Sequence, residues 1–136
     1  MTEQELYKLK YPIGEFNKPE LITSQQIENW INSIETLPNS IASITKNLSE
    51  EELNYKYRPE GWTIKQVVHH CVDSHINSLL RFKLALTENT PTIRPYFEDK
   101  WAELPDTLNA PIQQSLTILE GLHQRWSQLL TDLSEL

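Results

Sequence analysis

An all-α fold, a bundle of long helices, is what this sequence predicts, on three observations. Glycine is nearly absent, with 3 in 136 residues. Apolar residues recur at spacings of three and four over long stretches instead of alternating. Helix-start signals stand at the head of each stretch: Thr23 or Ser24, then Thr63 with Gln66 three residues on, then Pro111. At this length, residues 1–136 read as one domain with one continuous core.

Residues 1–22 carry Pro12, Gly14 and Pro19 and lack periodicity, so they read as an extended arm over the bundle. The first long helix follows, with Ile27, Trp30, Ile31, Ile34, Leu37, Ile41, Ile44 and Leu48 as one apolar stripe. Pro38 inside it should kink the helix or split it in two. Ser49-Glu50-Glu51-Glu52 has capping-box form and predicts a short helix, and residues 55–60 predict a loop. The second long helix is capped by Thr63, with Gln66 completing the box and Trp62 placed to staple onto Val67. It should run to about Glu88, where Asn89-Thr90-Pro91 stops it. Residues 89–110 hold three prolines and an aromatic cluster (Tyr96, Phe97, Trp101), with one helical turn expected near 98–103. The last helix opens at Pro111, and Ile112, Leu116, Leu119, Trp126, Leu130 and Leu133 form its stripe.

Charge excludes one class of partner. The net charge is −7 and no basic cluster exists to neutralise phosphates, so nucleic acid is not expected. A single cysteine excludes an intrachain disulfide framework and suits a reducing compartment. The opening residues, Met1 to Leu6, have neither a basic nor an apolar run, so no signal peptide is expected, and no stretch is long enough to span a bilayer. A soluble, cytoplasmic protein is the expectation.

Candidate chemistry concentrates on the second long helix, which carries three of the four histidines and the cysteine. At about 100° per residue, Ile64, Val67, Val68, Cys71, Val72, Leu79, Phe82 and Leu86 gather as the core face. His75 falls among them and reads as a satisfied core histidine. Cys71 reads as inert packing. Lys65 and Lys83 share another direction with His69 nearby, which reads as the wet side. A third sector holds Gln66, His70, Asp73, Ser74, Asn77 and Arg81; it is polar yet contains neither Lys nor Glu. Short polar side chains grouped around an imidazole suggest the wall of a cleft; an ordinary surface stripe with an Asp73–Arg81 salt link is the plainer alternative. His69 and His70 diverge by about 100° and cannot serve one metal. His123 on the last helix reads as bonded to a backbone carbonyl.

Several words in this chain resemble the DinB-like superfamily and, within it, the YfiT-type branch. They include Tyr11-Pro12-Ile13-Gly14-Glu15-Phe16, Tyr57-Arg58-Pro59-Glu60-Gly61-Trp62-Thr63, Gln66 through His75, Pro91 through Tyr96, and Leu122-His123-Gln124-Arg125-Trp126. The resemblance implies an up-down-down-up four-helix bundle, often homodimeric, binding Zn²⁺ or Ni²⁺ through three histidines. It assigns the first ligand to the second histidine of the His-His pair, eight residues after the Gly-Trp tryptophan, which is His70. The other two family ligands lie in a His-x-x-x-His motif on a fourth helix, and this chain contains no such motif. Residues 1–136 therefore match the first three long helices and the N-terminal arm.

The same resemblance implies a metal-dependent S-transferase that joins a low-molecular-weight thiol of the bacillithiol type to an electrophile. A metal-dependent hydrolase of the same fold is the alternative, and a metal-free helical binding module is the reading from another class. Asp73, Asn77, Arg81, Arg58 and Trp62 are the residues expected around the thiol or behind the ligand.

Overall fold

The computed structural model describes residues 1–134. Its helices are α1 (Glu3–Lys10), α2 (Ser24–Thr45), α3 (Glu50–Leu53), α4 (Ile64–Thr87), α5 (Glu98–Trp101), α6 (Pro105–Asn109) and α7 (Ile112–Ser134). Three long helices, α2, α4 and α7, form the body, as the periodicity predicts.

Four helix starts are fixed by reciprocal capping boxes. Thr2 with Glu5, Thr23 with Gln26, Ser49 with Glu52 and Thr63 with Gln66 each exchange side-chain and backbone hydrogen bonds, satisfying orphan amides. The first of these corrects the expectation of a wholly extended arm. Thr2-x-x-Glu5 nucleates α1, with Glu3 and Glu5 in its first turn and Lys8 and Lys10 in its last, matching the helix dipole. A second correction is α6, which starts on Pro105 beyond the single turn expected in this region.

Helix α7 is the axis of the packing. It lies against both α2 and α4, whereas α2 and α4 hardly meet among the described residues. The core is Ile41 from α2, Val68 and Val72 from α4 and Leu119 from α7, with Leu37, Cys71, Ile112 and Leu116 against it. On the side away from α7 the space between α2 and α4 stays open. Phe82 and Leu86, expected in the core, are consequently still about half exposed there.

Pro38 does not split α2; the helix runs through it with the proline buried. The ring removes the amide that would serve the carbonyl of Ile34, four residues back. His123 on α7 supplies the missing donor: its Nδ1–H meets that carbonyl. This bears out the reading of His123 as bonded to a backbone carbonyl and explains why an imidazole sits 1% exposed in an apolar stripe.

Candidate functional site

Among the described residues the four histidines divide into three that are held by hydrogen bonds and one that is not. His123, with its Nδ1 on the Ile34 carbonyl, meets His75 Nδ1 through Nε2 at 2.7 Å. With both rings neutral, the proton between them belongs to His75, because His123 already carries its own on the carbonyl side. Burial first, then the neighbouring imidazoles of His123 and His70, lowers the pKa of His75 to about 4, so it is neutral at pH 7. Trp126 packs on both rings, and its Nε1–H is the one buried side-chain polar atom without a partner among the described residues.

His69 overturns the wet-side reading. It is buried, its Nε2–H donates to the carbonyl of Ala110 at 3.1 Å, and Ser115 Oγ meets its Nδ1 at 2.6 Å. Lys65 is buried as well and reaches Glu50 on α3 at 2.7 Å. Gln66, read as a cleft wall, instead donates to the carbonyl of Ala102 and to Glu103. The cause is shared. The proline-rich segment between α4 and α7 folds over the first turns of α4 and leaves carbonyls that need donors. Periodicity within α4 carries no information about that segment's path.

His70 is different. No hydrogen bond reaches its imidazole among the described residues. It lies at the edge of an open cleft of about 560 Å³ between α2 and α4, with Leu37, Ile41, Trp62, Val67 and Cys71 in the lining. Burial pushes the Cys71 thiol up, which keeps it a protonated packing group as expected. Residues Leu9 and Pro12 of the N-terminal arm close one side of the same cleft.

Trp62 is the residue that restrains His70. Their ring centroids stand 4.7 Å apart with the planes tilted by 58°. The turn before α4 sets this contact: Gly61 N–H returns to the Arg58 carbonyl at 3.0 Å, and Lys56 bridges Thr63. A Cβ on Gly61 would sit 2.6 Å from the Arg58 Cγ and 3.1 Å from the Arg58 carbonyl oxygen, so a side chain there would force Arg58 to move. Arg58 lies over the Tyr57 ring, and its guanidinium is used locally, on Tyr57 Oη at 3.0 Å and the Pro59 carbonyl at 3.1 Å. It therefore shapes the turn that carries Trp62.

The remaining polar residues continue along α4. Asp73 makes no hydrogen bond to His70; burial raises its pKa, Asp106 adds to that, and the imidazoles of His70 and His69 pull the other way. Asn77 Nδ2 donates to the Asp73 carbonyl at 2.7 Å. Arg81 does not pair with Asp73 but donates to the Arg94 carbonyl at 3.3 Å, which removes the salt-link alternative. Tyr96 and Trp101, whose rings stand 4.6 Å apart, face this end of the helix. Sequence reasoning named Tyr96 in an aromatic cluster but placed neither it nor Arg94 beside α4, because nothing local sets residues 92–97 against that helix.

The donor set can be weighed directly. Among the described residues no three His, Cys, Asp or Glu side chains converge on one point. A single free imidazole fits one ligand position of a metal centre and does not make the centre.

Such an architecture, an all-helical body with one unbonded imidazole on an apolar cleft, defines a helical bundle with a candidate ligand position. The DinB superfamily model matches residues 33–136, and the chain belongs to that superfamily. Proteins from Bacillus cereus (strain 03BB102) and Bacillus anthracis (strain A0248), each named "Putative metal-dependent hydrolase", are 54% identical over 125 residues, covering 92% of this chain and 72% of theirs. The solved structure of YfiT from Bacillus subtilis, described as a probable metal-dependent hydrolase with an unusual four-helix bundle topology, superposes with a TM-score of 0.89. It is 46% identical and is covered to 71% by 92% of this chain.

Proposed function

We propose that this chain provides the His70 side of a metal-dependent group-transfer site that joins a low-molecular-weight thiol, of the bacillithiol type, to an electrophile. The observation that carries the reading is the sorting of the histidines: among the described residues His69, His75 and His123 are committed to hydrogen bonds, and His70 has none. Its remaining ligands would come from a further helix laid in the open groove between α2 and α4, with Zn²⁺ or Ni²⁺ as the ion. Bound there, the ion supplies Lewis acidity, lowering the pKa of a thiol or water at its open position.

The chain's own residues then have definable work. Trp62 fixes the His70 ring and narrows the entrance. Leu37, Ile41 and Val67 exclude water and suit the apolar body of an electrophile. Asp73, Asn77 and Arg81 offer polar contacts to the thiol carrier along the same helix. The names of the relatives favour water as the acceptor, so hydrolysis is the second reading. One assay separates them: consumption of thiol with an alkylating substrate, with the metal supplied, on the wild type and His70→Ala. Thiol-dependent turnover lost in the variant supports transfer to sulfur. Turnover that proceeds without any thiol contradicts it and leaves the hydrolase.

A further inference from the structure

The cleft beside His70 has two unlike walls. Tyr57 and Trp62 stand on one, which the backbone braces: Tyr57 N–H donates to the Trp62 carbonyl at 3.4 Å, and Ile64 N–H to that of Tyr55 at 3.0 Å. On the other stand Leu9, Lys10 and Pro12 of the N-terminal arm. Among the described residues, every hydrogen bond that residues 1–17 make stays inside the arm. Tyr7 Oη donates to Glu15 at 2.6 Å, across a tight turn in which Gly14 N–H returns to the Tyr11 carbonyl at 3.0 Å. Gly14 takes the left-handed region there, at φ 81°. The capped helix α1, the turn and the return segment thus form one small folded unit.

That unit is joined to the bundle by apolar contact. Helix α1 buries none of its residues; Leu9 and Pro12 touch the cleft, and Phe16 meets Trp30 edge-on at 6.4 Å. Residues 18–22, which connect it to α2, make no hydrogen bond among the described residues. A segment tied by no directional bond opens at low free energy, and moving lids are drawn from such segments. The tip of the turn is apolar yet uncovered: Ile13, directly after Pro12, is 98% exposed. Further movement of the arm onto the cleft would give that side chain cover.

We propose that residues 1–17 are a lid, swinging as one unit on residues 18–22 and closing over the cleft with Pro12 and Ile13 towards the wall that holds Trp62. Closure excludes water from the space beside His70 and favours apolar substrates. That service rests on the cleft being the reacting site; the motion does not.

The test uses Cys71, which lines the same cleft, as the reporter on the full chain. Its alkylation by uncharged N-ethylmaleimide follows the population of the open lid. Ile13→Ser should speed alkylation by about threefold or more, although a static arm gives a fully exposed side chain no such effect. Leu21→Ser, a change at a residue 75% exposed on the connecting segment, should leave the rate as it is. Filling the cleft with apolar N-phenyl-1-naphthylamine should slow amide exchange over residues 3–17 together, and should do so less in Ile13→Ser. No metal or turnover enters these readouts, so loss of the metal reading leaves the lid standing, and a static arm leaves the metal reading standing. An unchanged rate in Ile13→Ser, equal effects of Ile13→Ser and Leu21→Ser, or arm amides blind to the naphthylamine would overturn the lid. Protection of Cys71 that rises with protein concentration would overturn it too, by assigning the apolar tip to a second copy of the chain.

Discussion

His69 and His70 are neighbours in the chain and belong to two different regions of the molecule. On the flank of α4 that carries His69, the segment leading to α7 and the short α3 form a roof, and Lys65, Gln66 and His69 are all tied into it. On the flank that carries His70 the N-terminal arm closes only one side, and among the described residues an apolar cleft opens beside an imidazole that no hydrogen bond reaches. One residue type, on one helix, one position apart, is structural in the first region and available in the second. What decides the role is the element standing opposite, since intrinsic chemistry is the same in both.

The sharpest way to break this contrast is to truncate both rings. His69→Ala strands Ser115 and the Ala110 carbonyl and leaves a cavity, so urea unfolding should show a loss of about 2–4 kcal/mol. His70→Ala removes a partly exposed ring with no hydrogen bonds and should cost less than about 1 kcal/mol. Equal losses would erase the distinction between the two flanks.

Next in size is the histidine that answers a proline. His123→Leu should cost about 2 kcal/mol by stranding the Ile34 carbonyl. In a Pro38→Ala background, where residue 38 regains an amide for that carbonyl, the same change should cost about 1 kcal/mol less. A double-mutant cycle with no coupling energy would mean that His123 is not the donor that compensates Pro38.

A smaller effect is expected from pH. His75 has a pKa of about 4 in the fold against an ordinary value of 6.5. Between those values the unfolded chain binds a proton that the folded chain refuses, so stability falls as pH is lowered from about 6.5 to about 4. The titratable neighbours that face it are His123 from α7 and His70 from its own helix. Because the ring is partly exposed, the loss should be on the order of 1 kcal/mol. His75→Gln should flatten that part of the pH–stability curve; an unchanged slope would assign it to carboxylates.

The smallest effect belongs to Lys65. Its partner Glu50 is largely exposed, so Lys65→Met should change stability by less than about 1 kcal/mol, with little dependence on salt. A larger loss would show that the roof depends on this ion pair more than on the hydrogen bonds of Gln66 and His69.

Much of the body was legible in the residues themselves. The capping box of Thr63 and Gln66, the stop near Glu88 and the start beyond Pro111 all follow from local chemistry, and all three recur in the fold. His70 was singled out by its place in a polar stripe, of which His70, Asn77 and Arg81 line open clefts while Gln66 is tied to Ala102 and Glu103. His123 had a readable signal too: it occupies the gap between Leu119 and Trp126 at spacings of four and three, a core position filled by a polar ring. The Thr2–Glu5 box ahead of α1 was equally local and was masked by the prolines that follow it. The burial of Lys65, Gln66 and His69 was not readable, because it depends on where residues 89–111 cross α4. The same long-range path hides the placement of Arg94 and Tyr96 beside α4.

The most direct measurement is imidazole ¹⁵N NMR of the full chain during titration with Ni²⁺, whose paramagnetism broadens the rings nearest to it. The account predicts that His69 stays protonated on Nε2 and His75 and His123 on Nδ1, all three fixed by their hydrogen bonds. His70 alone should broaden first, and His70→Ala should abolish the early phase. Broadening that begins at His69, His75 or His123, or a His70 ring fixed in one tautomer and blind to the ion, would contradict the claim that His70 is the available ligand.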